Sequence, residues 1–352
     1  MNGFISKQIT NQSTEYDIVF FTNQPSFYKV RQWNEISKYK RVLIIFLKGK
    51  ENDRNSDFVS EQPQFESYTL CAKRYNSIIE LIGIFNKIKF KNLLLGGWDD
   101  IRLILLLISN PKIKNSLLCE SSVYECSSNP IKNILKRLLL TKVSKVFVSG
   151  IAQEKIFTKL NYRGRIIHTG GCGLLNYVEQ PSFVSRPAVH TFLYVGRLVE
   201  VKNLRMLIKV FNTLPQFKLN LVGYGELDKE LRSIAKENVN FLGAVDNKCL
   251  STLYQGADVF ILPSRIEPWG LVIEEALNNG TPVIVSDKVG CRDDLVSDNV
   301  GVVFDSDSED SMRDAILKIS EIEYYNSLRY KISHLDFKER AKRQVDVFIN
   351  NL

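Results

Sequence analysis

Residues 259–285, VFILPSRIEPWGLVIEEALNNGTPVIV, contain the pattern that decides the fold. An apolar run at 259–262 precedes a polar loop, a helical segment begins at Gly270, and a second apolar run occupies 282–285. Short, continuous apolar runs are typical of strands that are buried on both faces of a parallel sheet. The stretch therefore predicts a strand, a crossover helix and a second parallel strand.

The same alternation extends through the chain on both sides of this unit. Further strand-like runs lie at residues 16–22, 41–47, 92–95, 117–119, 143–148, 191–195, 218–222, 239–242 and 301–304. Helical segments separate most of these runs. Strand–helix alternation that occurs twice over predicts an α/β fold with two doubly wound, Rossmann-like domains.

The boundary between the domains is predicted at residues 180–189, QPSFVSRPAV. This stretch has two prolines, two serines and no periodicity, which is typical of a linker. We therefore expect a first domain at 1–185 and a second domain at 186–335. Residues 336–352 are expected to form a C-terminal helix that returns to the first domain.

The composition indicates a globular protein of the cytoplasm. Hydrophobic residues make up 44% of the chain and charged residues 24%, which excludes a mainly disordered protein. The longest apolar run, at 101–108, is far shorter than the roughly 20 residues that cross a bilayer, and the first twenty residues lack the apolar core of a signal peptide. The six cysteines include no Cys-x-x-Cys pair, so reduced thiols are expected.

The charge is distributed unevenly between the two halves. The net charge is +8 overall, but residues 1–180 carry 26 Lys and Arg against 15 Asp and Glu, whereas residues 181–352 carry 21 against 24. This asymmetry indicates that the first half meets an anionic partner, either nucleic acid or an anionic membrane surface. The alternative is a soluble surface that is basic throughout. Because no nucleic-acid-binding motif is present, we expect a membrane surface and no nucleic acid.

The most pointed basic segment is PIKNILKRLLLTKVSK, residues 130–145. Apolar and basic side chains alternate there at helical spacing: Ile131, Ile134, Leu135, Leu138 and Leu139 against Lys132, Lys136 and Arg137. A basic amphipathic helix at 131–142 can lie in the membrane interface. It can equally be a surface helix with a core-packed apolar face, and the sequence leaves both interpretations open.

Two glycine turns follow strands in the second half and suit an anion. Gly196 and Arg197 follow the strand at 191–195, and Lys202 with Asn203 is expected to open the next helix. Gly223 and Gly225 follow the strand at 218–222. A helix N-terminus with fixed cations nearby can hold a diphosphate. Each turn alone is a weak signal, and neither a Rossmann dinucleotide fingerprint nor a Walker-type loop occurs.

The loop and helix at 263–276 are the strongest candidate site. Glu267 lies in the loop after one strand, Gly270 and Leu271 begin the following helix, and Glu275 lies in its first turns. The free N–H groups at a helix start suit a phosphate, and the two carboxylates can accept hydrogen bonds from sugar hydroxyls. Glu274 should face another direction, because adjacent helical residues point about 100° apart.

A resemblance to a known family emerges from these motifs in order. GRLVEVKN, VGYGE, FLGAV and PSRIEPWGLVIEEALNNGTPVIVSDKVG resemble the C-terminal domain of the family-four retaining glycosyltransferases, which have the GT-B fold with a central cleft. The combination of Glu-Pro-Trp-Gly with VGCRDDLV is similar to bacterial enzymes that build capsule, exopolysaccharide or O-antigen chains. The resemblance is strong over residues 190–305 and looser over 16–180.

The resemblance implies a role for each matching position. Arg197 and Lys202 match the diphosphate-binding pair, Glu267 matches the carboxylate on the donor sugar, and Glu275 matches the one on the ribose. The remaining positions implied in donor binding are Gly196, Gly223, Gly225, Val245, Trp269, Gly270 and Leu271.

The first half departs from the family pattern at one position. Glu120 follows a strand where many members carry a catalytic-site histidine, and the three histidines of this chain lie elsewhere. We take Glu120 as a candidate catalytic residue whose role stays open. Gly96, Gly97 and Trp98 resemble another cleft loop and are assigned to the acceptor side.

The implied activity is transfer of a hexose from a nucleotide diphosphate sugar, UDP- or GDP-linked, to a hydroxyl with retained configuration. Cations replace the usual metal, so no metal or other cofactor is expected. The expected acceptor is a lipid-linked saccharide, reached from the cytoplasm at the inner face of the cell membrane. Two alternatives stay open: a non-catalytic sugar-nucleotide-binding partner of another transferase, and a sugar-nucleotide epimerase of the same fold.

Overall fold

Two parallel β-sheets, one in each half of the chain, form the framework of the protein. The computed structural model describes residues 15–48, 61–70, 74–98, 100–126, 129–173, 177–296 and 300–352. The prediction of two Rossmann-like α/β domains is confirmed, since every strand pair of both sheets is parallel and helices connect most successive strands.

The first sheet has seven strands in the order β3-β2-β1-β4-β5-β6-β7. Its strands are β1 Tyr16–Thr22, β2 Val42–Phe46, β3 Glu66–Thr69, β4 Phe90–Leu95, β5 Asn115–Cys119, β6 Lys145–Val148 and β7 Arg165–His168. The helices of this half are α1 Phe27–Ser37, α2 Arg74–Phe85, α3 Ile101–Ser109, α4 Pro130–Leu140 and α5 Ile151–Lys159. Strands such as β2 are buried along their whole length, as expected for a sheet covered on both faces.

The second sheet has six strands in the order β10-β9-β8-β11-β12-β13. Its strands are β8 Thr191–Val195, β9 Lys218–Val222, β10 Val239–Gly243, β11 Val259–Leu262, β12 Val283–Ser286 and β13 Gly301–Phe304. Its helices are α6 Leu204–Phe211, α7 Asp228–Ile234, α8 Leu250–Gly256, α9 Leu271–Asn278, α10 Glu309–Ile319 and α11 Ile322–Ile332. Both sheets reverse their strand order at the first strand, and ligands of open α/β sheets bind beside such a reversal.

Two strands of the first sheet were not predicted. The strands β3 (ESYT) and β7 (RIIH) lie at the two edges of the sheet, and most of their side chains are at least partly exposed. An edge strand needs no continuous apolar run, because one of its sides meets solvent. The polar sequences of these strands therefore gave no signal.

The last helix, α12 Phe337–Asn351, packs against the first domain. The ring of Phe348 stacks on Phe147 of β6 at a centroid distance of 5.0 Å and lies 5.4 Å from the ring of Trp33 in α1. The side-chain amide of Asn92 donates to the backbone oxygen of Leu352 at 2.6 Å. The core on one face of the first sheet is therefore completed by a helix that follows the second domain in sequence.

Candidate active site

The turns after β8 and β9 interlock at the C-terminal edge of the second sheet. The backbone N–H of Leu198 donates to the oxygen of Tyr224 at 2.8 Å, and that of Leu227 donates to the oxygen of Leu198 at 3.1 Å. Gly223 has φ of +138°, and a Cβ there would lie 1.9 Å from the Gly196 oxygen. Only glycine permits this approach, so Gly223 brings the two turns together.

The same interlock explains the other predicted glycines of these turns. A Cβ at Gly225 would lie 2.2 Å from the backbone oxygen of Leu198. Val245, in the turn after β10, is half-buried and packs against the second core. The structure thus brings Gly196, Gly223 and Gly225 together. These glycines are needed for the packing of the two turns, whether or not they also contact a ligand.

Arg197 projects from this interlocked edge. Its backbone oxygen accepts a hydrogen bond from the Tyr194 hydroxyl at 2.8 Å, which fixes the turn, while its side chain is exposed. Among the described residues, none forms an ion pair or hydrogen bond with the guanidinium of Arg197. The site therefore presents a cation that is available to an anionic ligand.

Lys202 lies just before the start of α6. It ends a short 3₁₀ helix at Glu200–Lys202, and α6 begins at Leu204 with Asn203 as its N-cap. Asn203 therefore opens the helix as predicted, whereas Lys202 lies before it. Asn203 adopts the left-handed conformation, with φ of 56°, and its buried amide donates to the Ser306 oxygen at 3.0 Å. This side-chain bond holds the turn, which an asparagine tolerates more readily than most residues.

Lys202 and Glu267 form an ion pair, although the chain separates them widely. Both side chains are largely buried, with exposed fractions of 15% and 14%. The loop that carries Glu267 is fixed to the loop after β12, since the Gly290 N–H donates to the Glu267 oxygen at 2.9 Å. The two residues predicted at the diphosphate and at the donor sugar are thus held against each other.

Gly270 determines how α9 begins. It occupies the position before the first helical residue with φ of +101°, where a side chain would be strained. The first N–H groups of α9, from Leu271 onward, lack partners within the helix, as at every helix start. Among the residues that the structure describes, none accepts from the N–H groups of Gly270 and Leu271, which lie directly after the loop of Glu267.

Glu275 lies one turn further along α9 and is half-buried. Burial raises the pKa of its carboxyl to about 7, and the negative charge of Glu274 adds to this effect. The Tyr254 hydroxyl donates to Glu275 Oε2 at 2.8 Å, which acts in the opposite direction. The carboxyl group is therefore held in a fixed position and is partly protonated near neutral pH.

Trp269 does not face the cleft, so the prediction that its side chain binds the donor needs correction. The ring is 2% exposed, and its N–H donates to Glu274 Oε1 at 2.6 Å. Glu274 is itself buried and pairs with Arg340 of α12, which also donates to the Gly170 oxygen. The large ring gains more from burial in the core, where its N–H still finds a partner.

The wall contributed by the first domain carries a second ion pair. Glu120 follows β5, and the Lys29 ammonium of α1 lies 2.7 Å from Glu120 Oε2. Lys29 was not predicted as a site residue. Its position in the first turn of the helix after β1, at the same sheet edge as Glu120, could have indicated that it lies near the site.

The thiol of Cys172 links the two walls electrostatically. Burial raises its pKa well above the ordinary value, and the charges of Glu120, Glu274 and Glu267 raise it further. Geometry also joins the loops that carry Glu120 and Glu267. The Glu267 N–H donates to the backbone oxygen of Lys288 at 3.3 Å, and the Lys288 ammonium lies 5.8 Å from the centre of the ring of Tyr124, in the segment after β5. The two loops, which come from different domains, therefore border the same cleft.

The loop after β4 approaches the backbone of β1 closely at Gly96 and carries the ring of Trp98. A Cβ at Gly96 would lie 2.9 Å from the Phe21 oxygen, and Gly97 has φ of +128°. The half-buried ring of Trp98 packs 5.7 Å from Phe157, and the Lys136 ammonium of α4 lies 4.9 Å above it. The indole of Trp98 thus connects the loop to α4 and α5.

Three contacts join the domains beside this cleft. The Ile151 N–H at the start of α5 donates to the Asp294 carboxylate at 3.0 Å, and Gln153 Nε2 donates to the Pro268 oxygen at 2.5 Å. Lys155 forms an ion pair with Asp293 at 2.9 Å. The loop of Glu267 and the N-terminus of α5 are therefore in direct contact.

The described residues contain neither a cluster suited to a metal ion nor a membrane-spanning helix. No group of three or more His, Cys, Asp or Glu side chains in these ranges is arranged to hold a metal ion. No helix in the described part of the chain combines the length and apolar character needed to cross a membrane.

Comparison with known proteins finds a family model that is similar to the second half of the chain. Residues 180–344 match the family model of glycosyl transferases group 1. An uncharacterized glycosyltransferase of Methanocaldococcus jannaschii is 37% identical over 102 residues, which is 27% of this chain and 26% of that protein. The O-antigen chain mannosyltransferase B of Escherichia coli is 29% identical over 191 residues, 49% of this chain and 50% of that protein. The alignments thus cover between about a quarter and a half of these relatives.

Solved structures extend the likeness to the whole chain at the level of the fold. The sucrose-phosphate synthase of Thermosynechococcus elongatus superposes with a TM-score of 0.73 at 18% identity, covering 96% of this chain and 99% of that one. HepE of Anabaena, solved in complex with UDP and glucose, gives 0.69 at 16% identity, with 96% and 97% covered. The whole chain thus has the two-domain GT-B architecture, and its residues 180–344 match the model of glycosyl transferases group 1.

Proposed function

We propose that the protein is a retaining glycosyltransferase that moves a hexose from a nucleotide diphosphate sugar to a hydroxyl group. The observation that carries this proposal is the arrangement of Arg197, Lys202 and Glu267. An available guanidinium and a largely buried ammonium–carboxylate pair lie at the sheet edge where such folds bind ligands. The pair offers both a cation for a diphosphate and an acceptor for sugar hydroxyls.

The leaving diphosphate is stabilised by positive charge from the protein. Arg197 and Lys202 supply two cations, and the N-terminus of α9 supplies free N–H groups. A hydrogen bond to a charged group contributes about 1.5–3 kcal/mol, so two such bonds account for several powers of ten in rate. We propose that these groups do the work that a divalent metal does in other transferases.

Retention follows from departure and attack on the same face of the sugar. A double displacement would need a free carboxylate beneath the anomeric carbon, and Glu120 is the candidate. Its pairing with Lys29 lowers its strength as a nucleophile, because the ammonium stabilises the negative charge that would attack. This favours front-face transfer, with Glu120 as a contact to the sugar.

The donor is proposed to be a UDP-sugar, with GDP-sugars as the alternative. Support comes from HepE, which shares the fold and was solved with UDP and glucose. We propose that Glu275 of this chain accepts hydrogen bonds from the ribose. The relative that acts on an O-antigen chain supports a role in bacterial surface polysaccharide synthesis.

The deciding experiment tests whether the purified full chain hydrolyses a panel of UDP- and GDP-sugars. The rate of hydrolysis is measured from the release of free nucleotide diphosphate. We expect one donor to be cleaved well above the others. Binding of a nucleotide sugar without any cleavage would favour the non-catalytic partner instead. Conversion of a donor to its 2-epimer would favour the epimerase.

The acceptor is proposed to be a lipid-linked saccharide at the inner face of the cell membrane. Support comes from α4, on which four large apolar side chains are more than half exposed: Ile131, Ile134, Leu135 and Leu138. Exposed apolar and basic residues on one helix are typical of an interfacial anchor. Lys132 is exposed among them, whereas Lys136 is engaged with the ring of Trp98.

A further inference from the structure

The cleft is bordered by two ion pairs, one from each domain. Glu267 pairs with Lys202 on the wall of the second domain, and Glu120 pairs with Lys29 on the wall of the first. The side chains of Lys29 and Glu120 are 15% and 30% exposed, so the carboxylate is the more open partner. One carboxylate oxygen, Oε2, meets the ammonium at 2.7 Å.

The pair on the first domain is tightly coupled. Burial works against the charged form of Lys29, but the charge of Glu120 and their hydrogen bond outweigh it and raise the pKa of Lys29. Lys29 therefore stays charged at every physiological pH. Lys29 is the third residue of α1, and its side chain is 15% exposed, which leaves its ammonium little freedom to leave Glu120.

Lys288 bridges the loops of the two carboxylates, since its backbone oxygen accepts from the Glu267 N–H and its ammonium lies 5.8 Å from the ring centre of Tyr124 in the segment of Glu120. A sugar attached to a diphosphate at Arg197 and Lys202 must extend from the second domain towards the first. Glu120 is then on the far side of that sugar from the diphosphate. Without Lys29, this carboxylate would add an unbalanced negative charge to a cleft that has to admit an anionic donor.

We infer that Lys29 is a positioning residue for sugar transfer, which holds the Glu120 carboxylate against a hydroxyl of the transferred sugar and balances its charge. This inference rests on the proposed function and deepens it. It adds to the site a residue that acts on the sugar and leaves the nucleotide untouched. Arginine at this position should preserve the role, since it keeps the charge and can reach the same oxygen.

The test compares Lys29→Met, Lys29→Arg, Glu120→Gln and the double variant Lys29→Met/Glu120→Gln in the full chain. The readouts are the Kd of UDP by calorimetry and the kcat and KM for hydrolysis of the nucleotide sugar that the wild type cleaves fastest. Lys38→Met is the matched control, because Lys38 directly follows the last residue of the same helix and pairs with Glu35 on the surface.

We expect Lys29→Met and Glu120→Gln each to lower kcat at least about tenfold, while the Kd of UDP stays within twofold of wild type. Lys29→Arg should retain most of the activity. The double variant should be no slower than Glu120→Gln alone, because Lys29 acts through Glu120. Unchanged UDP binding also shows that each variant is folded.

Wild-type kcat in Lys29→Met, or a double variant whose loss is the product of the two single losses, would overturn the inference and leave the proposed function intact. A loss of UDP binding in Lys29→Met with binding retained in Lys29→Arg would assign Lys29 to the nucleotide instead. A wild-type protein that cleaves no donor of the panel would overturn the proposed function, and the inference with it.

Discussion

Arg197 and Lys202 were predicted as an equivalent pair, but the structure places them in different environments. Arg197 is exposed and Lys202 is largely buried against Glu267. Removing the first takes away a cation at the surface. Removing the second leaves a carboxylate that is 14% exposed without its partner, which costs stability as well as function.

We therefore expect Arg197→Ala to lower donor hydrolysis by about ten- to a hundredfold at an unchanged melting temperature. Lys202→Ala should lower both hydrolysis and the melting temperature. Steady-state kinetics with thermal unfolding of the same samples checks this, and near wild-type turnover in both variants would contradict the assignment of the diphosphate site.

Glu275 should make the stability of the protein depend on pH. Its folded-state pKa is about 7, against an ordinary value of 4.5, so the folded state holds this proton more tightly. The resulting stabilisation is complete below about pH 4.5 and is lost as the pH rises through about 7. Glu275→Gln keeps an acceptor for Tyr254 and cannot ionise.

The Gln variant should therefore gain on the order of 1–3 kcal/mol in unfolding free energy over wild type at pH 8, and little at pH 5. Thermal unfolding at the two pH values measures this difference. Glu237→Gln, a change at an exposed position of the same domain, serves as the control. An equal effect of Glu275→Gln at both pH values would exclude a raised pKa in the folded state.

At the scale of elements, the apolar strands were predictable and the polar strands were not. The strands β8, β9, β11 and β13 have the predicted bounds, because each contains a run rich in apolar residues. The polar edge strand β3 gives no such pattern. The turns that follow the strands were also predictable, because the carboxyl ends of parallel strands all lie at one edge of the sheet.

Side-chain directions within those turns were less accessible to sequence reasoning. The family resemblance placed Trp269 among the donor-binding positions, yet its indole turns into the core and bonds with Glu274. The pairing of Lys29 with Glu120 joins distant parts of the chain, and no local pattern indicates it. Tertiary packing decides both outcomes.

The helix α4 should attach the protein to anionic membranes through its apolar face. We expect Ile134→Ser combined with Leu138→Ser to reduce pelleting with anionic vesicles severalfold, because two partly inserted side chains are lost. Binding of the wild type should also fall as salt rises. Leu317→Ser, at an exposed position of α10 in the second domain, is the matched control. Equal pelleting with neutral and anionic vesicles would contradict the proposed electrostatic contribution to membrane binding.

For the whole molecule, we expect transfer without a bound metal. The diphosphate is proposed to meet Arg197, Lys202 and the start of α9, and these groups are insensitive to chelators. Donor hydrolysis should therefore stay within about twofold of its normal rate in excess EDTA. Complete loss that manganese or magnesium restores would contradict this.

The packing of α12 on the first sheet has a consequence for biosynthesis. The apolar surfaces of Trp33 and Phe147 are covered by Phe348, which emerges from the ribosome only after the entire second domain. At roughly 5–20 residues per second, the nascent first domain waits on the order of ten seconds or more with this face uncovered. During that interval it is a candidate client for chaperones, and the second domain can finish folding before the first.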